Sequence, residues 1–133
     1  MSQENVEIGR RMWTHFNYRD WAAWWSLLDE NVEWRARTDK PDVDIYRGHE
    51  SLGAFVEAWT GMFPDIRVEL AGESIDLGEH VITPTLIVGT ATSTGIKVRD
   101  PYSFLVKITA GKIVLGQEFH DNAEALEAVG LEE

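Results

Sequence analysis

Few residues in this chain combine chemical reactivity with a position that could shelter it. The first is Asp100. It lies in a strand-like run where Val98, Tyr102, Phe104, Val106 and Ile108 share one side, and Lys97, Arg99, Ser103 and Lys107 share the other. Successive strand side chains point to opposite faces, so Asp100 falls on the apolar face. A carboxylate there requires a partner, a proton or a wet cavity. It is either a general base in a pocket, with a raised pKa suited to proton transfer, or a strand-end acid paired with an Arg or Lys. The second is His15, at the edge of a helical apolar stripe, a base if a pocket reaches it. The third is Gln117, which interrupts the apolar set Ile113, Leu115 and Phe119 on the last strand. A buried amide must be hydrogen-bonded to protein, water or ligand. Trp34, Trp59, Tyr46 and Tyr102 are aromatic candidates for a ligand wall or for ordinary core.

Other chemistries are poorly served. There is no Cys, so thiolate nucleophiles, disulfides and cysteine zinc sites are excluded. No His or acidic pair has metal-ligand spacing, and no metal or other cofactor is expected. His120 adjoins Asp121, but neighbours on a strand point apart. His49 and His80 read as surface residues. Nucleophile-elbow, phosphate-loop and dinucleotide fingerprints are missing. Twelve Lys+Arg against 23 Asp+Glu give a net charge of −11. The basic residues are scattered, which argues against nucleic acid and against anionic membranes. The polar first residues are unlike a signal peptide, and no apolar run reaches the roughly 20 residues of a membrane span. A cytoplasmic protein is expected.

The elements that must position these residues follow from periodicity. Residues 3–18 read as a helix with Ile8, Met12, Trp13 and Phe16 on one stripe. Asp20 caps a second helix carrying Trp21, Trp24, Trp25 and Leu28. A strand follows at 31–37, then a polar loop at 38–44. Gly48 opens a third helix with Leu52, Phe55, Val56, Trp59 and Phe63, stopped by Pro64. The period then changes to 2. Strands are expected near 65–77 with a bulge at Gly72, then 79–93, 97–109 and 112–120. A short helix at 123–129 closes the chain, with Asp121 and Glu124 at capping-box spacing. Helices first and an antiparallel meander last give an α+β fold, one domain over 1–133. On the outer sheet face, Val114 and His120, with Val81 and Ile87 beside them, would need cover, and a homodimer is the expected partner arrangement.

Several strings resemble the SnoaL-like group of the nuclear-transport-factor-2-like, or ketosteroid-isomerase-like, superfamily. They are Phe16-Asn17-Tyr18-Arg19-Asp20-Trp21, Asn31-Val32-Glu33-Trp34, Tyr46-Arg47-Gly48, Phe63-Pro64-Asp65, Gly111-Lys112-Ile113, and Asp121 through Ala125-Leu126-Glu127-Ala128 to Gly130-Leu131. The resemblance implies a cone: a curved, mainly antiparallel sheet wrapped around N-terminal helices, with a central pocket. Relatives range from isomerases and polyketide cyclases to non-catalytic binding modules, so fold alone does not fix function. The isomerase acids are replaced here by Trp34 and Phe104, and the helix-1 tyrosine falls near Met12 or Trp13. The epoxide-hydrolase Asp-Arg-Asp set has no counterpart. The polyketide-cyclase acid falls within Gln117–Asp121, at Glu118 or Asp121. The expected function is binding of a small apolar or aromatic molecule. The alternative is a polyketide-cyclase-like or isomerase/lyase-type enzyme using a pocket carboxylate for proton transfer.

Overall fold

The computed structural model describes residues 2–37 and 44–132. Helix α1 (Ser2–Asn17) and helix α2 (Trp21–Ser26) come first. Arg19 joins them with φ +59°. The Asp20 carboxylate accepts the Ala23 N–H at 3.3 Å, the cap expected of it. Strand β1 (Leu28–Ala36) leads to the short strand β2 (Asp44–Arg47). β2 is missing from the sequence reading, which placed Asp44 in a loop. The rest of that loop, 38–43, lies outside the described residues. Helix α3 (Gly48–Met62) starts at a glycine with φ +82° and ends ahead of Pro64.

The remaining strands are β3 (Arg67–Leu70), β4 (Ile75–Leu77), β5 (His80–Thr90), β6 (Lys97–Thr109) and β7 (Lys112–Phe119). Helix α4 (Asn122–Glu132) follows. The expected 65–77 strand is therefore broken in two around Gly72, and both pieces pair with β5. Pro84 sits on β5 opposite this break, where a residue without an N–H costs the sheet least. The seven-stranded sheet has the order β2-β1-β7-β6-β5-β3, with β4 beside β5. β1 and β7 run parallel, and the other pairs are antiparallel. The sheet is curved and unclosed, and α1, α2 and α3 fill its inner side. This is the expected α+β class.

Two apolar clusters hold it. The larger joins the helices to the inner face through Met12, Trp13, Trp24, Val32, Trp34, Leu52, Val81, Ile87 and Phe104. The smaller, Ile82, Leu105, Ala125 and Val129, lies between the outer face and α4. Val81 and Ile87 are thus inner-face core residues paired with Val106 and Asp100. Their placement on the outer face is corrected, and the case for a homodimer loses those two residues. The α4 start is a reciprocal cap. The Asp121 carboxylate accepts the Glu124 N–H, and the Glu124 carboxylate accepts the His120 N–H, both at 2.9 Å. An Asp121→Ala variant should lose about 1 kcal/mol of stability in a denaturant titration.

Candidate functional site

Strand β7 decides which acid meets the inner face. Along β6 and β7, Phe104 faces Glu118, Val106 faces Gly116, and Lys107 faces Leu115, yet Ile108 faces Ile113. Val114 is the residue left over, a β-bulge. Such an insertion flips every side chain beyond it to the opposite face. Ile113 therefore points inward, while Leu115, Gln117 and Phe119 point outward. Gly116 and Glu118 take the inner positions. Carrying the Ile113 phase straight through the strand puts Gln117 on the inner side, which the structure corrects; of Glu118 and Asp121, the two acids left open by the family resemblance, the bulge brings Glu118 inward.

The consequence is a carboxyl among aromatic rings. A cavity of about 50 Å³ lies between the helices and the inner sheet face. Trp13 and Phe16 of α1, Trp24 of α2, and Leu52, Phe55, Val56 and Trp59 of α3 form its helical side. Trp34, Ile66, Val68, Ile87, Tyr102 and Phe104 form the rest, together with Glu118. Among the described residues Glu118 is the only carboxyl in that lining. Its Oε2 accepts the Trp34 indole N–H at 2.8 Å, and its Oε1 accepts the Arg37 backbone N–H at 2.8 Å. Burial pushes its carboxyl above the ordinary 4.5; the bonds from Trp34 and Arg37 and the Arg37 charge pull less strongly the other way. Desolvation outweighs the hydrogen bonds: the residue as a whole is half-buried, but its carboxyl end lies on the inner side of the sheet, away from bulk water.

The close packing of Trp34 depends on Gly116. An added Cβ there would lie 2.3 Å from two atoms of the Trp34 ring. The ring is also set by edge contact with Trp13, centroids 6.3 Å apart, and by Phe104 at 6.0 Å. The indole is thereby aimed at Glu118.

The other candidates are distributed as follows. Asp100 does not line the cavity. Its Oδ2 receives Arg37 Nη2 at 2.6 Å, and its side chain is 40% exposed. Of the two alternatives, this is the strand-end ion pair. The same Arg37 donates to the Pro101 carbonyl at 2.9 Å and lies over the Tyr102 ring, 3.8 Å from its centroid. The Arg37 side chain is 15% exposed, but solvent reaches the Asp100 side and screens the pair, so Asp100→Asn should cost about 1 kcal/mol and shift the unfolding midpoint only modestly. His15 is half-buried on α1 and is not in the lining. Gln117 sits on the outer face, where its Oε1 accepts Arg35 Nη1 at 3.3 Å. Tyr46 stacks on Phe55, centroids 4.5 Å apart, behind the lining. Desolvation raises its phenol above the usual 10.0, and Asp44 and Glu118 add to the rise. Trp34, Trp59 and Tyr102 do line the cavity. Asp121, the other last-strand candidate, is the exposed α4 cap. His49, read as a surface residue, is half-buried, with Nε2 3.0 Å from the Leu28 carbonyl.

Among the described residues no three His, Asp or Glu side chains converge to hold a metal ion, and no helix is long and apolar enough to cross a membrane.

The model of the SnoaL-like domain family matches residues 9–116. The chain belongs to the SnoaL-like domain family. The match to this SnoaL-like domain ends two residues before Glu118, so membership does not itself assign that side chain a role. Solved structures agree on the fold. Bal32a, from a soil-derived mobile gene cassette, superposes with a TM-score of 0.80 at 19% identity, over 96% of each chain. An NTF2-like protein of unknown function from Burkholderia pseudomallei gives 0.77 at 20% identity, over 93% of this chain and 95% of that one. A putative SnoaL-like polyketide cyclase from Jannaschia sp. CCS1 gives 0.75 at 18% identity, over 95% and 91%. At these identities the likeness shows the NTF2-like fold alone. No functionally curated protein matches the chain.

Proposed function

We propose that this SnoaL-like domain binds a small, mainly apolar ring compound in the cavity between helices and sheet, with Glu118 as the group that orients it. The observation that carries the reading is a carboxyl that, among the described residues, is the only one in an otherwise apolar and aromatic wall. Such a wall supplies affinity by burial, and one fixed polar group supplies orientation. A net charge of −11 and the Glu118 carboxyl both disfavour an anionic ligand. The cavity is well below the roughly 300–1,000 Å³ of a typical ligand site. A single ring suits it, or a larger guest that displaces Phe55, Val56 and Trp59, the half-buried α3 side of the wall.

The elevated Glu118 carboxyl favours a second reading, proton transfer of the isomerase or lyase type. A structural neighbour described as a putative SnoaL-like polyketide cyclase is consistent with this. A general acid or base works best when its pKa approaches the working pH, and burial moves Glu118 in that direction.

Titration of the chain with toluene, phenol and acetophenone, followed by tryptophan fluorescence, tests binding. Several of the six tryptophans line or pack on the cavity, so occupancy should quench or shift emission. A Val56→Trp variant, placing a large side chain on the movable wall, should abolish the response while circular dichroism stays unchanged. A flat titration with all three compounds, or the same response in Val56→Trp, would overturn the reading.

A further inference from the structure

Two side chains of the cavity wall carry a polar atom that is left unmatched among the described residues. The indole Nε1–H groups of Trp13 and Trp24 are buried and find no hydrogen-bond partner among the described residues. The two residues are 4% and 2% exposed, and both belong to the lining. Buried donors are almost always satisfied, so each exception calls for a physical reason. Both rings pack against other rings. Trp13 meets Phe16 edge-on with centroids 5.7 Å apart, and Trp24 meets Trp25 edge-on at 4.7 Å. A ring face is a weaker acceptor than an oxygen. The contrast within the same wall is Trp34, whose Nε1–H is matched by Glu118.

Neither nitrogen is exposed to the cavity as it stands, so a guest supplies the missing acceptor only by displacing the neighbouring side chains. Water is one option, but a site lined by rings offers it few of the two to four partners it needs. An anion would bring negative charge beside Glu118. An uncharged oxygen on an apolar ring meets both constraints. The ring packs on the aromatic wall, and the oxygen takes hydrogens from the helical side, where both donors reside. Resting on the ligand-site reading above, we infer that the cavity is built for a neutral ring compound bearing a carbonyl oxygen, received by the indole N–H of Trp13, of Trp24 or of both.

A matched pair of probes tests this on the full chain. Acetophenone and α-methylstyrene have nearly the same shape, with C=O replaced by C=CH2. Their binding is followed by proton–nitrogen spectra of the indole groups, assigned with Trp13→Phe and Trp24→Phe variants. Acetophenone should bind about tenfold more tightly, the scale of one recovered hydrogen bond in a dry site. It should also move the Trp13 or Trp24 indole proton downfield. In the doubly substituted protein the ratio of the two affinities should fall towards one. Should that protein fail to fold, the wild-type affinity ratio and indole shifts carry the test. Equal affinities with both indole protons unmoved would overturn the inference and leave the ligand site standing. A long-lived water contacting the indoles and undisturbed by ketone would also overturn it. If neither probe binds, the ligand-site reading falls with it.

Discussion

Gly116→Ala will cost more than any other single-methyl addition to this sheet, about 1–3 kcal/mol or an outright failure to fold. The new Cβ would sit 2.3 Å from the Trp34 ring, inside any permitted contact. Relief requires the ring to swing away, and its surroundings oppose that. It would break the 2.8 Å bond to Glu118 and disturb the edge packing on Trp13. An oxygen of Glu118 would then be left buried without its donor, an added penalty. The control is Gly61→Ala on α3, where an added Cβ meets nothing within 4 Å. That change should leave stability unchanged or raise it by up to about 1 kcal/mol, since Ala is the better helix former. Urea titrations of the two variants beside the parent measure both effects. A Gly116→Ala protein as stable as the parent would show that Trp34 is not held where the structure places it.

The second large effect is a reversal of the usual acid dependence at one residue. Glu118 has its native pKa raised above 4.5, so the folded protein holds a proton that the unfolded chain releases. The stability this contributes is complete below 4.5 and is lost as pH rises through the native value. Glu118→Gln fixes the neutral form. The stability of the Gln variant minus that of the parent should therefore increase from pH 4 upward and level off above the native pKa. The absolute offset is less favourable to Gln, because one of the two donors at that carboxyl would meet an amide NH2. Glu33, Asp65 and Glu124 are held below their ordinary values by hydrogen bonds from Arg35, Thr90 and His120 respectively, and act in the opposite direction. They are common to both proteins and cancel in the difference. A flat or falling difference would mean that Glu118 is not desolvated. If the domain is an enzyme, the same variant abolishes turnover, because an amide cannot carry the proton. If it only binds, affinity changes by about 1–3 kcal/mol.

Much of the scaffold was legible because its elements have one dry face. The stripes of α1 and α3 and the alternation of β6 each match a single period, so their bounds fall within a residue or two of the structure. The family strings added the curvature and the mixed sheet. What failed did so for identifiable reasons. β5 is covered on both faces, by the helices and by α4, so it reads as a nearly continuous apolar run without a phase. Its inner positions also include Thr83 and Thr85, which disguise the core side. Val81 and Ile87 were misassigned for that reason. Leu105, an exception on the polar side of β6, is the residue α4 covers. The bulge at Val114 has no glycine or proline to announce it, and it alone moves Gln117 off the inner face and Glu118 onto it. Asp100 was correctly placed on the inner-face phase, but the Arg37 that neutralises it is 63 residues away in sequence. Pairing at that range depends on the sheet order β1-β7-β6, which single-strand patterns do not contain.

The most direct test of the account is the titration of the Glu118 carboxyl itself. Carbon-detected spectra of side-chain carboxyls, with Glu118→Gln to assign the resonance, give its pKa in the folded protein. The account predicts a midpoint above 4.5 that rises further when a neutral ring compound fills the cavity and displaces what water reaches the group. A midpoint at or below 4.5, unmoved by any such compound, would contradict the claim that this acid stands in a dry aromatic cavity.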